Sequence, residues 1–278
     1  MIKSKIIELL NKDLEDEHGA IIQYLTHAYA MGEGEVSCEI ESFAREEMRH
    51  LDWLAETIVA LGGRPSLERG TMNMAGITVP VWMTNDVGLE QGAINQYEEH
   101  IRLIDDADVK RLLKRILEDE KAHRAKFEHL VEKTRREGHK DIRGKRQDST
   151  AKTLNWGISH EYTVILQYMF HSYMTKKTEA KKQLEDQAVN EMQHLGWLSE
   201  EMISGGGSPE IEHMEVSLPP KTAEMLKADM KIEKEVAEKY NEAARQTDDP
   251  GLKALLMRIR DNEKYHLEVF KDLLKQEE

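Results

Sequence analysis

Cysteine is nearly absent from this sequence. Its 278 residues contain one, Cys38, which excludes a disulfide framework and argues against a zinc or iron–sulfur site built from cysteines. Long apolar runs are also missing. No stretch could span a bilayer, and the start, MIKSKIIELLNKDLEDE, turns acidic without the apolar core of a signal peptide. These absences favour a cytoplasmic protein with no membrane partner.

Positive charge and aromatic residues are scarce as well. Acidic residues outnumber basic ones by 53 to 39, giving a formal net charge of −14, so the chain repels nucleic-acid phosphates and attracts cations. Aromatic residues make up only 6% and charged residues 33%, a balance that suits a helical protein. We therefore expect no nucleic-acid partner, and the length is comfortable for two domains.

Strand-forming patterns are also few. ITVPVW at 77–82 is the one β-like run, and Pro80 interrupts it. The rest has the apolar period of helices, and Asp86 is a good N-cap for the third of them. Eight helices are predicted, at 3–31, 37–61, 86–106, 108–137, 150–177, 179–203, 222–246 and 251–276.

The predicted helices form the same arrangement twice. In each half, two helices precede a long crossover and two more follow it. We predict an all-α fold of two tandem four-helix bundles, in which the crossover lets the second and third helices run parallel. The first bundle covers residues 1–138, a basic and polar linker covers 139–149, and the second bundle covers 150–278.

A Glu-x-x-His motif recurs along the chain and places two potential metal donors on one helical face. In a glutamate-rich chain the motif alone is a weak signal. The copies at Glu15 and Glu210 fit no repeat and are discarded as ligands. The four remaining copies begin at Glu47, Glu120, Glu191 and Glu263.

A second pattern, a glutamate seven positions before a tyrosine, supplies the frame for those four copies. It begins at Glu17, Glu90, Glu161 and Glu233, each 30 positions before a Glu-x-x-His glutamate. The copy at Glu233 retains little beyond its glutamate and tyrosine. Between the halves the offset is 144 for the first two helices and 143 for the last two, so the whole bundle is duplicated.

Each half therefore offers four glutamates and two histidines from four helices, which is the constellation of a di-iron carboxylate site. Carboxylate and imidazole ligands suit Fe²⁺, and also Mn²⁺ or Zn²⁺. Four carboxylates neutralise two divalent ions, so the reduced site can be buried. The twelve predicted metal ligands are Glu17, Glu47, His50, Glu90, Glu120, His123, Glu161, Glu191, His194, Glu233, Glu263 and His266.

Other side chains repeat with the ligands. Tyr24 and Tyr168 are predicted to lie beside the two sites, although buried tyrosines commonly serve packing. The other repeated pairs, which we expect to support or pack and not to ligate, are His27 with His171 and Trp53 with Trp197.

With these motifs, the sequence resembles the ferritin-like superfamily, and specifically bacterioferritin-type subunits in tandem duplicate. The resemblance covers both halves and is carried best by EHGAIIQY at 17–24, EEMRHLDWL at 46–54 and ILEDEKAH at 116–123. It implies a ferroxidase with two di-iron centres, in which O₂ or H₂O₂ oxidises Fe²⁺ and the Fe³⁺ is stored or passed on.

The resemblance also implies roles for the ligands. The glutamates of the first and third helices of each half would be terminal ligands, and those of the Glu-x-x-His motifs would bridge the two ions. As partners it implies iron and the oxidant, with a homo-oligomer or a pseudo-dimer formed by the two halves.

A methionine inside two of the motifs adds a cofactor hypothesis. In bacterioferritin the methionine at this place is an axial ligand of a haem on a subunit twofold axis, and the matching residues are Met48 and Met192. The resemblance thus implies one haem b between the two halves. His18 and Tyr162 depart from it, because an aliphatic residue would suit a haem wall at these positions.

Two other functions remain open. A rubrerythrin-like peroxide scavenger would carry an extra glutamate one turn beyond the third-helix ligand, where this chain has Ala93 and Val236. The other alternative is a metal-binding component of a cage or compartment with little catalysis. If only one centre is active, the incomplete copy at Glu233 predicts that the second half has lost activity.

Overall fold

Eight helices make up the regular structure of the described chain. The computed structural model describes residues 2–137 and 149–276, and these ranges contain no strand and no helix long and apolar enough to cross a membrane. The helices are α1 Lys3–Met31, α2 Glu35–Ala60, α3 Val79–Leu103, α4 Ala107–Glu137, α5 Ser149–Met174, α6 Thr178–Ser204, α7 Thr222–Gln246 and α8 Pro250–Lys275.

The helices divide into two compact units. Helices α1–α4 form the first unit and α5–α8 the second, which confirms the predicted all-α fold of two tandem four-helix bundles. The predicted linker 139–149 lies outside the described residues except for its last position. The predicted domain limits therefore stay a prediction.

Helices α1 and α3 run antiparallel through the first unit. Tyr24, late in α1, donates to Glu90 in α3, while Tyr97, later in α3, donates to Glu17, earlier in α1. Only residues 32–34 join α1 to α2, and such a short connection makes the two helices an antiparallel hairpin. Helices α2 and α3 are therefore parallel, as the long crossover predicts.

The crossover of the first unit, residues 61–78, lies against α1. The amide of Gly70 donates to the carbonyl of Glu15 at 2.6 Å. A Cβ atom on Gly19 would meet the carbonyl oxygen of Gly70 at 3.0 Å, so this close approach favours glycine. The contact fixes the crossover along the stretch of α1 that carries Glu17.

The third helix begins earlier than the sequence predicts. It starts at Val79, so the β-like run 77–82 leads into its first turn, where Pro80 is tolerated because first-turn amides have no helical partner. The prediction that Asp86 is an N-cap is wrong, because Asp86 is buried within α3 and accepts from Gln23 Nε2 at 2.7 Å. An aspartate that precedes an apolar helical pattern has the same local sequence whether it caps the helix or lies inside it.

Aromatic side chains pack between the helices. The ring centroid of Phe127 lies 4.9 Å from that of Tyr24 and 4.7 Å from that of Phe43, and all three residues are buried. In the second unit Tyr168 packs edge-on against Phe270 at 5.1 Å. These rings exclude water from the polar side chains that the helices bury beside them.

Candidate metal centres

All six predicted ligands of the first unit meet at its centre. One comes from α1, two from α2, one from α3 and two from α4, and none is more than 4% exposed. Their donor atoms form two groups, and within each group the atoms lie within 4.8 Å of one another. The groups are Glu17, Glu47, His50 and Glu120, and Glu47, Glu90, Glu120 and His123.

Glu47 and Glu120 belong to both groups. The two oxygens of Glu47 face different histidines, since Oε2 is 2.7 Å from His50 Nδ1 and Oε1 is 2.8 Å from His123 Nδ1. Glu120 Oε1 lies 3.0 Å from His50 Nδ1. These positions suit carboxylates that bridge two ions.

Glu17 and Glu90 each belong to one group. Glu17 Oε2 is 3.7 Å from His50 Nδ1, and Glu90 Oε1 is 3.8 Å from His123 Nδ1. Each glutamate thus lies beside one histidine at one end of the centre. This placement suits terminal ligands.

The second unit repeats the constellation. Glu191 Oε2 is 2.7 Å from His194 Nδ1, and its Oε1 is 2.7 Å from His266 Nδ1. Glu263 reaches the same two nitrogens at 3.1 and 3.2 Å. The incomplete sequence copy around Glu233 therefore still contributes its carboxylate. The groups are Glu161, Glu191, His194 and Glu263, and Glu191, Glu233, Glu263 and His266.

Several inward-facing donor atoms of the described chain have no hydrogen-bond partner. They include both oxygens of Glu47 and the Nδ1 atoms of His50 and His123, all of which are buried. Buried polar atoms are normally satisfied, and carboxylate oxygens and imidazole nitrogens that converge on the same points can all be satisfied by cations. The residues present therefore fit a pair of divalent metal ions. The second unit has the same unsatisfied atoms on Glu191, His194 and His266.

Burial alters the proton equilibria of the first centre. It raises the pKa of Glu17 to about 8, assisted by the negative charge of Glu47, and it raises the pKa of Glu120 to about 8. Burial alone would lower the pKa of His123, but the adjacent negative carboxylate of Glu47 raises it to about 9. The metal-free centre thus holds protons that metal ions must displace.

We expect bound metal to stabilise the protein more as the pH rises from about 6 to about 8. Glu17 and Glu120 have a folded-state pKa above the usual carboxyl value, so the stability that they give the metal-free fold is lost as the pH rises towards about 8. His123 acts in the same direction up to about 9. Metal ions replace these protons and remove the loss.

Unfolding temperatures of metal-free and Zn²⁺-loaded protein across this pH range check the expectation. The difference between the two should widen with increasing pH. A difference that stays constant or shrinks would contradict it.

Buried tyrosines hold the terminal glutamates. Tyr24 Oη donates to Glu90 Oε1, and Tyr97 Oη donates to Glu17 Oε1. Burial and the charge of Glu90 raise the pKa of Tyr24 well above its ordinary value, so it stays a proton donor. Of the four repeated tyrosines, only those of α1 and α5 were predicted to lie beside the sites, although the tyrosines of α3 and α7 have the same spacing from a glutamate. The second-unit pairs are Tyr168 with Glu233 and Tyr240 with Glu161.

The outward nitrogens of the first-unit histidines face carboxylates that the sequence analysis missed. Asp119 Oδ2 is 3.3 Å from His50 Nε2, and Glu46 Oε2 is 2.5 Å from His123 Nε2. A carboxylate in this position orients the ring, so that Nδ1 faces the metal, and raises its basicity. Their place in the sequence could have identified these carboxylates, because each directly precedes a Glu-x-x-His motif.

Both of these positions carry asparagine in the second unit. Asn262 replaces Asp119, and its Nδ2 is 2.9 Å from His194 Nε2. Asn190 replaces Glu46. When Nδ1 binds metal, Nε2 carries a proton, so the Asn262 amide would turn to offer its oxygen. The two centres therefore differ in the charge that these positions place around their histidines.

Another buried polar pair lies outside the metal groups of each unit. His27 Nδ1 is 3.0 Å from Asp86 Oδ2, and His171 Nδ1 is 3.0 Å from Asp229 Oδ2. All four side chains are buried. Their burial outside the metal groups fits the supporting role predicted for the two histidines. Their aspartate partners were not predicted from the sequence.

Trp53 and Trp197, which were expected to pack, are partly buried. Their rings lie 5.8 and 5.6 Å from the adjacent ligand histidines. The guanidinium groups of Arg115 and Arg258 cover them at 4.1 and 4.0 Å, which is favourable cation–π geometry. Each tryptophan with its arginine shields one ligand histidine of its unit.

The predicted haem ligands Met48 and Met192 lie on α2 and α6, one position after a predicted bridging glutamate. Both are partly exposed. They belong to different units, so a haem between the halves stays a prediction.

Each half of the chain matches known proteins. A family model described as the ferritin-like domain matches residues 7–137 and again residues 151–278. The bacterioferritin of Desulfovibrio desulfuricans is 34% identical over 134 residues, covering 46% of this chain and 75% of that protein. The bacterioferritin of Mycobacterium bovis is 28% identical over 124 residues, covering 42% of this chain and 78% of that protein.

A solved structure is also similar to part of this chain. The X-ray structure of the Desulfovibrio desulfuricans bacterioferritin, which describes its diiron site in different catalytic states, is 34% identical with a TM-score of 0.45. The match covers 47% of this chain and 80% of that one. One relative thus corresponds to about half of this chain.

Proposed function

This chain belongs to the ferritin family, with a ferritin-like domain in each half, and from that premise we propose that it is a ferroxidase with two di-iron centres. The observation that carries the proposal is a glutamate in each unit whose two oxygens face two histidines. These glutamates are Glu47 and Glu191. The donors also accept Mn²⁺ or Zn²⁺, but a relative with a diiron site favours iron.

The proposed reaction couples two one-electron oxidations to one two-electron reduction. Two Fe²⁺ ions and two protons convert O₂ to H₂O₂, or convert H₂O₂ to two water molecules, and both ions become Fe³⁺. Two ions held by shared carboxylates supply both electrons at one place. The chain's own part is to position the ions, neutralise their charge and limit the access of water.

Stopped-flow oxidation of anaerobically Fe²⁺-loaded protein tests the proposal. Mixing with O₂ in one arm and H₂O₂ in the other should produce Fe³⁺ absorbance faster than protein-free Fe²⁺ does in at least one arm. The faster arm identifies the oxidant, and a preference for H₂O₂ supports peroxide scavenging as the main role. Rates equal to those of protein-free iron in both arms would contradict a ferroxidase.

We further propose that the Fe³⁺ is stored, which requires an assembly that encloses a volume. Closed symmetric assemblies are the usual route to such a volume. Size-exclusion chromatography and electron microscopy of iron-loaded protein should then show a hollow particle with an iron core. A monomer or dimer would contradict storage and leave iron oxidation in place.

The haem hypothesis makes a separate prediction for Met48 and Met192. If the two thioethers ligate one haem, protein supplied with haem will show a Soret band, and either single substitution, Met48→Ala or Met192→Ala, will shift or remove it. An absorbance scan of the purified protein makes the measurement. Absence of the band after haem supplementation would contradict the hypothesis.

A further inference from the structure

We propose that the two centres have different roles. The first exchanges iron and oxidant with solvent, and the second is closed and keeps its metal ions for long periods. The inference rests on the proposed function, because it takes both centres to hold metal. It is carried by the residues that lie between each centre and the surface, which differ although the ligands are the same.

In the first unit a cavity of about 310 Å³ joins the surface to the ligands. Its outer wall includes Lys12, Gly88 and Gly92, which are exposed, and its inner wall includes Glu17 and Glu90, which are buried. The cavity is partly open to solvent. Hydrated ions and small oxidants can therefore approach the terminal ligands from this side.

Larger side chains occupy the corresponding positions of the second unit. Ala93, which lines the cavity and is partly exposed, corresponds to Val236, which is 1% exposed. Ala20, across the cavity on α1, corresponds to Val164, also 1% exposed. Each replacement adds two methyl groups on the side from which the first centre is reached.

A tryptophan covers the same side of the second centre. Trp156 replaces the exposed Lys12 of the cavity wall. Its ring meets that of Tyr240 edge-on at 5.4 Å and stacks on that of His160 at 5.5 Å. Tyr240 in turn donates to the terminal glutamate Glu161. The stacked rings therefore lie between this ligand and solvent.

The helices also pack more tightly at this point of the second unit. A Cβ atom on Gly157 would lie 2.9 Å from Leu198 Cδ1 and 3.1 Å from Tyr240 Oη. The first unit has Asp13 at the same position, where its carboxylate pairs with His100 Nδ1 at 2.8 Å. At this position the helices of the second unit are in close contact, whereas the first unit holds a buried polar pair.

The residues at the positions beside the outward nitrogens of the ligand histidines support the same division of roles. The carboxylates of Glu46 and Asp119 make the first-unit histidines more basic and favour the more highly charged oxidised ions. The amides of Asn190 and Asn262 lack this charge. Reduction potential and access therefore both assign iron turnover to the first centre.

Uptake of Co²⁺ by the metal-free full-length protein tests the division of roles without any oxidation. Rapid mixing with excess Co²⁺, followed by visible absorbance, should give a fast and a slow phase of similar amplitude. Glu47→Gln should remove the fast phase, and Glu191→Gln the slow one. A single phase, or loss of the fast phase in Glu191→Gln, would overturn the inference.

Substitutions at the positions between each centre and solvent test whether these side chains cause the difference in the rate of Co²⁺ uptake. Ala93→Val, at a partly exposed position, should slow the fast phase, and Trp156→Lys with Val236→Ala should speed the slow phase, each by about tenfold or more. Thermal unfolding checks that the variants fold, and Ala93→Val alone keeps the test decisive if the second-unit variant does not. Unchanged phases in a folded variant would overturn the inference.

The outcomes separate this inference from the proposed function. Co²⁺ that saturates both units at one rate contradicts the division of roles but leaves two metal centres. Failure of either unit to bind Co²⁺ contradicts the metal centres themselves.

Discussion

Replacing Glu47 by glutamine will empty the metal centre of the first unit and leave that of the second unit filled. Glu47 presents one oxygen towards each of His50 and His123, so its loss removes a shared ligand and one of four negative charges. An amide has one oxygen and no charge, and it cannot bridge two divalent ions in the same way. We expect metal affinity in this unit to fall by more than the roughly 10–100-fold typical of changes to outer hydrogen-bond partners.

Metal content at equilibrium dialysis against a fixed concentration of free Zn²⁺ measures the effect. The wild-type chain should retain four ions and Glu47→Gln two, with Glu191→Gln giving the complementary loss from the second unit. Glu118→Gln removes the same charge from an exposed position on α4 and should retain all four. If Glu47→Gln keeps a full complement while folded, the bridging role assigned to Glu47 is wrong.

Converting the first unit's outer carboxylates to amides will weaken its metal binding by roughly 10–100-fold. The double variant Glu46→Gln with Asp119→Asn removes the charges beside His123 and His50, so the rings become less basic ligands. Both carboxylates are about a third or more exposed, so the fold should tolerate the change. The same variant should raise the reduction potential of the bound iron, because it removes negative charge that stabilises Fe³⁺ over Fe²⁺.

Competition with a chelator gives the affinity, and a spectroscopic redox titration gives the potential. The reverse changes in the second unit, Asn190→Glu with Asn262→Asp, should move both quantities in the opposite direction. If the first-unit variant binds and oxidises iron as the wild type does, these carboxylates do not support the ligands.

The convergence of the predicted ligands in two groups per unit was predictable from the sequence because helices convert spacing into position. Seven residues are two turns and three residues are neighbours on one face, so repeats of fixed spacing place their side chains on matching faces. The long crossover between α2 and α3 likewise predicted their parallel course. No comparable rule links α1 to α3, so the exchange of tyrosine contacts, Tyr24 to Glu90 and Tyr97 to Glu17, became visible only in the folded chain.

Local sequence patterns gave incomplete or wrong predictions where contacts with residues far away in the sequence determine the structure. Asp86 has the surroundings of an N-cap, but it belongs to the helix interior because Gln23 and His27, far away in sequence, satisfy its carboxylate. The closure by Trp156 depends on its contacts with Tyr240 and His160, one of which lies on another helix. Such pairings depend on how helices meet, which periodicity within one helix does not specify.

One chain is proposed to build two complete di-metal centres. An anaerobic Fe²⁺ titration of the metal-free protein, with each addition followed to equilibrium, tests it most directly. We expect saturation at four ions per chain, with two lost in Glu47→Gln and the other two in Glu191→Gln. Saturation at two ions or fewer in the wild-type chain would contradict it.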